Sequence, residues 1–178
     1  RRSDGAVLAW PETVMGSPHQ PAPVAQAAAG RAVALRRIDG SLSLIGDWGA
    51  FGTVPPLPPG QVYVGVEVGN YHALALRSDG SAIGWGQGAA GQTVVPSLPA
   101  GMTWVELAAG DSHSLGRTSS GQLVAWGSNA YGQCNVPGLP SMCVEIVAGA
   151  FHNLARLDSG QLLAWGDNAR GQCNVPAL

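Results

Sequence analysis

Short apolar stretches separated by turn residues recur along the chain. Val144–Ala148 (VEIVA) is one of them, and a glycine turn and a further apolar stretch beginning near His152 follow it. Stretches of this length, rich in Val, Leu and Ile and bounded by Gly, Pro and Ser, are typical of β-strands. Apolar residues nowhere keep a helical spacing over several turns. The pattern therefore predicts an all-β protein of short strands.

The same pattern of strands and turns returns at a regular interval. The segment GQLVAWGSNAYGQCNVP (121–137) recurs almost unchanged as GQLLAWGDNARGQCNVP (160–176). Three kinds of landmark keep step with it, and together they indicate a repeat of about 39 residues. The landmarks are the opening glycines Gly5, Gly40, Gly80, Gly121 and Gly160; the Gly-x-x-His motifs at 69–72, 110–113 and 149–152, with Val33 in the place of His in an earlier copy; and the closing prolines Pro55, Pro96, Pro137 and Pro176.

The sequence of each repeat predicts four strands. The first precedes Gly-x-x-His, the second begins near the His, a hairpin follows, the third ends in Trp-Gly, and a short fourth strand leads into the proline. Asp39-Gly40 and Asp79-Gly80 predict hairpins in which both central residues have positive φ. Four strands in about 40 residues make a propeller blade. We therefore predict a β-propeller of four-stranded blades.

The chain holds about four and a half such blades in one repeat domain, residues 1–178. The predicted units are a half blade at 1–21 and full units at 22–59, 60–99, 100–140 and 141–178. An incomplete ring leaves unpaired backbone groups at a sheet edge. Three explanations stay open: a truncated parent protein, which we favour, an open arc, or closure with another chain. Exposed edges also predict a tendency to self-association.

Charge and composition exclude several classes of partner. The chain has a formal net charge of −2, and its nine basic residues, all Arg, form no stripe that could neutralise a run of phosphates, so we expect no nucleic-acid partner. No apolar run approaches the roughly 20 residues needed to span a bilayer, so we expect no membrane insertion. Cys134 and Cys173 occupy equivalent repeat positions; a disulfide needs Cα atoms within about 7 Å, so we predict free thiols.

The segment AGAFHNLARLDSGQLLAWGDNARGQCNVP (148–176) resembles the regulator of chromosome condensation superfamily. Gly-x-x-His, the hairpin glycine, Trp-Gly, Asn-x-x-Gly-Gln and the proline follow one another in family order. The resemblance covers nearly the whole chain, but the first two units are eroded. In the first, Trp10 leads into the unrelated sequence PETVMGSPHQP; in the second, Ile45 takes the tryptophan position and Trp48 lies in the following loop. The repeat length is similar to that of short-repeat bacterial members, which include secreted propeller inhibitors of β-lactamases. The resemblance implies seven blades and a ring that binds other proteins.

The recurring His and Trp residues have a structural and a chemical interpretation. His72, His113 and His152 suggest a metal ring, yet Val33 replaces the first and no Asp, Glu or Cys recurs beside them. The resemblance implies instead that each ring fills space in the blade and bonds neighbouring backbone. Tryptophans before glycine at a fixed repeat position favour packing between blades over stacking on bases or sugars. These tryptophans are Trp85, Trp126 and Trp165; Trp10 holds the equivalent position but precedes Pro11.

Carboxylates also recur on the first strands, at Glu67, Glu106 and Glu145. Paired carboxylates suggest acid–base catalysis, but neighbouring blades should hold them too far apart, so we interpret them as solvated strand faces. No nucleophile, phosphate-loop or metal signature is present. We therefore expect neither an enzyme nor a cofactor.

Residues that vary within this fixed frame are the candidates for partner binding. The resemblance to the short-repeat inhibitors implies that two loops of each unit face outward on one side and supply aromatic contacts. Tyr, Phe, Trp and Arg are the residues that binding hot spots favour. The predicted rim comprises Asn70, Tyr71, Asp111 and Phe151 in the first loops, Tyr131 and Arg170 in the second loops, and Trp48 and Phe51 in a shortened second loop.

The function that these observations favour is recognition of another protein. The module would be inhibitory or part of a larger secreted or surface protein, with an extracellular or cell-surface location slightly favoured. Two alternatives stay open. One is guanine-nucleotide exchange on a small GTPase; the repeats contain no insertion that resembles an exchange wedge, which counts against it. The other is a metal-dependent propeller lyase or hydrolase.

Overall fold

The computed structural model describes residues 23–30, 32–46 and 52–176. Over these ranges the chain forms twelve β-strands and no helix. The strands are β1 Val24–Ala29, β2 Val33–Arg37, β3 Leu42–Ile45, β4 Tyr63–Val68, β5 His72–Arg77, β6 Ala82–Gly86, β7 Trp104–Ala109, β8 His113–Thr118, β9 Leu123–Gly127, β10 Cys143–Ala148, β11 His152–Leu157 and β12 Leu162–Gly166. In the part of the chain so described, no helix has the length and apolar character needed to cross a membrane.

The strands form four antiparallel sheets, each made of three strands consecutive in sequence. We number them sheet 1 (β1–β3), sheet 2 (β4–β6), sheet 3 (β7–β9) and sheet 4 (β10–β12). The first strand of every sheet shifts register once, as between Tyr63 and Gly65 in β4. In a regular strand, residues three apart face opposite sides, and the bulge changes this alternation. Tyr63 and Val66 are consequently both buried, as are their counterparts Trp104 and Leu107.

The predicted all-β fold of repeated propeller blades is confirmed, but each described sheet has three strands rather than four. The segment that leads into Pro96, expected to hold a fourth strand, instead begins with a tight turn in which Val94 N donates to Gly91 O (3.0 Å). Proline lacks an N–H for a ladder, so the residues that lead into Pro96 are poor strand formers. Val95 and Leu98 instead pack against the apolar core. The predicted half blade at 1–21 lies outside the described residues.

The hairpin turns also differ from the prediction. Only glycine has positive φ among the described residues, so Asp39 and Asp79 do not share it. Gly40 N donates to Arg37 O (3.0 Å), and Asp39 Oδ1 accepts a hydrogen bond from Ser41 N (2.9 Å). The turn is therefore one residue longer than predicted, with aspartate stabilising it through its side chain and glycine alone in the left-handed region.

The apolar core lies between adjacent sheets. The first strand of each sheet contacts the first and middle strands of the sheet before it. One core cluster accordingly combines Leu74 of sheet 2 with Trp104, Leu107 and Trp126 of sheet 3, and the two tryptophan rings lie 5.6 Å apart at 47°. Each sheet therefore depends on its neighbours for burial of its apolar side chains, as in other repeat proteins.

The glycine that opens the Gly-x-x-His motif marks a close approach between sheets. A Cβ added at Gly69 would collide with the carbonyl oxygen of Gly110 in the next sheet, and one at Gly30 would collide with that of Gly69. Backbone cannot move aside as a flexible side chain can. Glycine is therefore required at this position by the spacing of the sheets.

We expect Gly69→Ala to lower the free energy of unfolding by about 3 kcal/mol, because the sheets must separate to accommodate the methyl group. Gly138→Ala is the matched control, since a Cβ there meets open space and a change below about 0.5 kcal/mol is expected. Urea unfolding followed by tryptophan fluorescence measures both. Equal stability of the two variants would contradict the close approach.

Candidate functional site

The two variable loops of each repeat lie at the same end of the sheet. His72 pairs with Gly86 at the end of β5 and β6, so the Gly-x-x-His loop and the loop after Trp-Gly begin side by side. Gln87 N donates to Tyr71 O (2.8 Å), and Asp167 N donates to Phe151 O (2.9 Å) in sheet 4. We call this end of the four sheets the loop end.

An aromatic pair stands at the loop end where sheets 3 and 4 meet. Tyr131 comes from the second loop of sheet 3 and Phe151 from the first loop of sheet 4; their ring centroids are 5.1 Å apart at 45°. Tyr131 is 53% exposed and Phe151 36%. Large apolar side chains of this kind usually lie inside a protein, so a paired and exposed set is typical of a contact surface.

A polar contact joins the first loops of sheets 2, 3 and 4. Asn70 Nδ2 donates to Asp111 Oδ1 (2.5 Å), and Asp111 N donates to Ala150 O (3.1 Å). Burial raises the pKa of Asp111, while His113 and the bond from Asn70 act in the opposite direction. These contacts hold neighbouring loops in fixed relative positions, and Ala150 directly precedes Phe151 of the aromatic pair.

The structure thus brings together four of the eight predicted rim residues in two contacts, Tyr131 with Phe151 and Asn70 with Asp111. Tyr71 is half-buried beside this surface. Arg170 is exposed in the second loop of sheet 4, where its backbone N donates to Gln172 Oε1 (2.9 Å). Trp48 and Phe51 lie outside the described residues. Partner binding by this set stays a prediction.

The histidines of the repeat lie between sheets. His72 Nε2 is 2.8 Å from Ser114 Oγ of sheet 3, and the same hydroxyl donates to the Gln92 carbonyl (2.8 Å). The Trp126 indole N–H reaches that carbonyl as well (2.8 Å). The ring therefore bonds a side chain of the next sheet, and that side chain in turn bonds the backbone.

The same arrangement recurs one repeat later with a different side chain. His113 Nε2 is 2.9 Å from Asn153 Oδ1, and Asn153 Nδ2 donates to the Gln133 carbonyl (2.8 Å). The Trp165 indole N–H donates to this carbonyl too (3.0 Å). In sheet 1, where Val33 replaces His, the position corresponding to Ser114 and Asn153 in the next sheet is Ala73.

Both inner histidines are held neutral by burial. Burial lowers the pKa of His72 to about 4, and the neighbouring His113 acts in the same direction. Burial likewise lowers the pKa of His113, although the hydrogen bond that Asn153 Oδ1 accepts from its ring acts in the opposite direction. Among the described residues, no three His, Cys, Asp or Glu side chains gather in a metal-binding group. The contacts of these rings support a structural role.

The tryptophans occupy equivalent buried positions, with Trp85, Trp126 and Trp165 each 7–8% exposed. Trp126 and Trp165 donate to the preceding sheet, but within the described part of the chain the buried Trp85 N–H has no partner. The second loop of the first repeat lacks the Gly-Gln sequence that supplies the carbonyl elsewhere. Trp10 lies outside the described residues.

A cavity of about 290 Å³ opens beside the first strands of sheets 2 and 3. Gln26, Gly65, Glu67 and Glu106 contribute to its lining. Gln26 Nε2 donates to Val66 O (2.8 Å) and lies 3.2 Å from Glu67 Oε1. Burial raises the pKa of Glu67 to about 7, and the Glu106 charge adds to the increase.

Glu67 therefore differs from the solvated carboxylate that the sequence predicts. Glu106 and Glu145 form ion pairs with Arg117 and Arg156 of their own sheets (2.8 Å each). Glu67 faces Leu74 instead of an arginine across the ladder. In the sequence, the sign of this difference is that Glu67 stands two residues later in its repeat than Glu106 and Glu145 do in theirs.

A family model and solved structures place this chain among known proteins. The family model for the regulator of chromosome condensation (RCC1) repeat matches residues 63–92, 104–133 and 143–172, which together make up half of the chain. A sequence search of curated proteins gives no match.

Solved structures share the fold at low sequence identity. Yeast RCC1 (Prp20), solved with Kap60, has a TM-score of 0.71 and 21% identity over 86% of this chain and 45% of its own. Human WBSCR16 has a TM-score of 0.68 and 20% identity over 81% of this chain and 47% of its own. The ectodomain of receptor kinase CR4 from Physcomitrella patens has a TM-score of 0.63 and 20% identity over 80% and 42%. The chain thus spans less than half of each.

Proposed function

Because the chain belongs to the regulator of chromosome condensation (RCC1) repeat family, we propose that it is a protein-recognition module that binds its partner at the loop end. The observation that carries this proposal is the exposed pair of Tyr131 and Phe151. Rigid aromatic side chains provide a large contact area at small entropic cost, and they are enriched in binding hot spots.

The surroundings of the pair support the same role. Hydrogen bonds from Asp167 N to Phe151 O and from Tyr131 N to Gln133 Oε1 (2.8 Å) fix both loops, so a partner would meet a largely preorganised surface. Asn70 with Asp111 supplies polar groups on one side of the pair, and Arg170 is a planar donor in the next second loop along the chain. Aromatic anchors accompanied by polar groups are the usual anatomy of a protein interface.

The family adds a general precedent. Yeast RCC1 (Prp20) was solved bound to Kap60, so one protein of this fold binds another. The finer proposals, an inhibitory role and a place in a secreted or surface protein, rest on the resemblance in repeat length. An enzymatic role has no support from the described side chains, and we propose that the module is not an enzyme.

We expect the double variant Tyr131→Ala/Phe151→Ala to lose at least tenfold of its affinity for the partner, because truncating a hot-spot pair costs about 2 kcal/mol or more. The test is capture by the immobilised chain, with quantitative mass spectrometry of the bound proteins and titration of each one found.

The matched control is Val62→Ala/Met142→Ala, which truncates two apolar side chains that are 40% and 56% exposed near the opposite end of the sheets. Both variants should unfold at the wild-type midpoint. Retention of every wild-type partner by the aromatic variant, or equal loss in the control, would contradict binding at the loop end.

A further inference from the structure

A proline-rich segment connects sheet 1 to sheet 2. Its sequence is VPPLPPG (54–60), and every residue from Val54 to Pro59 either is a proline or directly precedes one. Proline fixes φ at about −65°, and the residue before a proline is restricted to extended or polyproline II backbone. Residues 54–58 accordingly belong to no strand, helix or turn. The sequence therefore holds this segment in a polyproline II helix, which has about three residues per turn.

The burial of the segment follows the same period. Val54 and Leu57, which are one such turn apart, pack against the core cluster of sheets 1 and 2. Pro56, Pro58 and Pro59 are exposed. Residues one turn apart share an edge of a polyproline II helix, so the edge that holds the valine and the leucine faces the core. The other two edges, which hold the prolines, face away from it.

Hydrogen bonds fix the segment at both ends. Tyr63 Oη donates to Pro55 O (2.6 Å), and Gln61 N donates to Pro58 O (3.2 Å) across a turn at Pro59-Gly60. The glycine has a φ of 79°, and proline followed by glycine is the pair that a type II turn favours. The segment is therefore preorganised, and a partner that binds it would immobilise little additional backbone.

The later repeats show that the core does not require the two additional prolines. The corresponding segment of the next repeat is VPSLPAG (95–101), which differs only in having Ser97 and Ala100 in place of Pro56 and Pro59. Its valine and leucine also pack against the apolar core, and the same turn hydrogen bond closes it (3.1 Å). One repeat further along, glycine and serine hold the two positions. Packing of the repeat consequently does not account for the exposed prolines between sheets 1 and 2.

We propose that the segment 54–60 is a docking site for a protein domain whose aromatic-lined groove binds polyproline II helices, the chemistry that SH3, WW and EVH1 domains share. Such grooves take prolines in a PxxP spacing. Pro55 with Pro58, and Pro56 with Pro59, provide that spacing on the two edges that face away from the core.

This site is independent of the loop end. The proline-rich segment lies between sheets 1 and 2, whereas the aromatic pair Tyr131 and Phe151 belongs to sheets 3 and 4. The chemistry of the two surfaces also differs, because here the chain presents the proline ligand and the partner supplies the aromatic rings. The two proposals can therefore fail separately.

The test titrates isotope-labelled SH3, WW and EVH1 domains with the 178-residue chain and follows the amide resonances of each groove by NMR. We expect at least one class of domain to bind the wild type, and Pro56→Ser/Pro59→Ala to weaken that binding by about tenfold or more. This variant converts the segment into the VPSLPAG of the next repeat, so the fold should accommodate it.

A transfer variant makes the test reciprocal. Adding Ser97→Pro/Ala100→Pro to Pro56→Ser/Pro59→Ala moves VPPLPPG to the next repeat and should restore most of the binding. Tyr131→Ala/Phe151→Ala should bind the domains as the wild type does, which separates this site from the loop end. The proposal would be overturned if no class of domain bound the wild type. Equal affinity of the wild type and Pro56→Ser/Pro59→Ala would overturn it as well, because the contact would then lie elsewhere.

Discussion

Replacing Asn153 by alanine is expected to lower the free energy of unfolding by about 3 kcal/mol. The substitution removes the partner of His113 Nε2 and one of the two donors to the Gln133 carbonyl, and His113 is fully buried. A buried polar group left without a partner costs about 1–3 kcal/mol, and the loss of side-chain volume adds to that. Urea unfolding at pH 7.5 measures the change.

The decisive control is the double variant His113→Val/Asn153→Ala, which reproduces the residues found at Val33 and Ala73. Removing the histidine removes the unsatisfied nitrogen, so the double variant should regain about 1 kcal/mol or more relative to Asn153→Ala alone. Strictly additive losses would show that the two side chains are not energetically coupled. His113→Val alone is expected to be destabilised, because Asn153 Oδ1 then lacks its buried partner.

The sequence was a good guide to the blades because their landmarks act locally. A glycine with positive φ closes the turn between the second and third strands of a sheet, as at Gly80 and Gly121, and the apolar strands on either side of such a turn are close in sequence and pair with each other. The three strands of each sheet could be predicted for this reason. The fourth could not be predicted, because the segment that ends in Pro96 can either pair in a ladder or pack its apolar side chains against the core, and the neighbouring sheet decides between the two.

The contacts between sheets were harder to predict. His72 is 42 residues from Ser114 in sequence, and only the relative placement of two sheets brings them together. Once the structure shows that pair, the sequence explains it. The facing residue in the next repeat is polar where the earlier repeat has a histidine, and it is Ala73 where the earlier repeat has Val33. The rim could be predicted in part. The spacing of the repeats points to Tyr131 and Phe151 as loop residues, but their direct contact depends on the relative placement of sheets 3 and 4.

Glu67 illustrates a limit of pattern reasoning. Alternation places Glu67 on the same strand face as a solvated carboxylate, yet neither alternation nor composition shows that Gln26 of sheet 1 and Glu106 of sheet 3 close around it. Burial between sheets changes the protonation of the group, and this change provides a measurable test of the cavity.

Replacing Glu67 by glutamine is expected to stabilise the protein above pH 7 by up to about 3 kcal/mol. The pKa of Glu67 is raised from its ordinary 4.5 to about 7 in the folded chain, so the folded state keeps a proton that the unfolded state releases. Wild-type stability from this group is therefore complete below pH 4.5 and decreases as the pH rises to about 7, by about 1.4 kcal/mol per pH unit. Glutamine is neutral throughout and removes the decrease.

His72 has the opposite dependence, and the variant should expose it. The pKa of His72 is lowered from 6.5 to about 4, so its contribution is complete above pH 6.5 and is lost as the pH falls toward 4. The effects of Glu67 and His72 offset each other between pH 4.5 and 6.5, so Glu67→Gln should lose more stability on acidification than the wild type does. The lowered pKa of His113 adds the same loss to both proteins. Urea titrations from pH 4.5 to 8 measure both profiles, with Glu145→Gln as the control, because that exposed ion pair should change stability by less than about 1 kcal/mol. A stability difference between wild type and Glu67→Gln that stays constant across this range would mean that Glu67 is charged and solvated in the folded protein, and its burial beside the cavity would have to be abandoned.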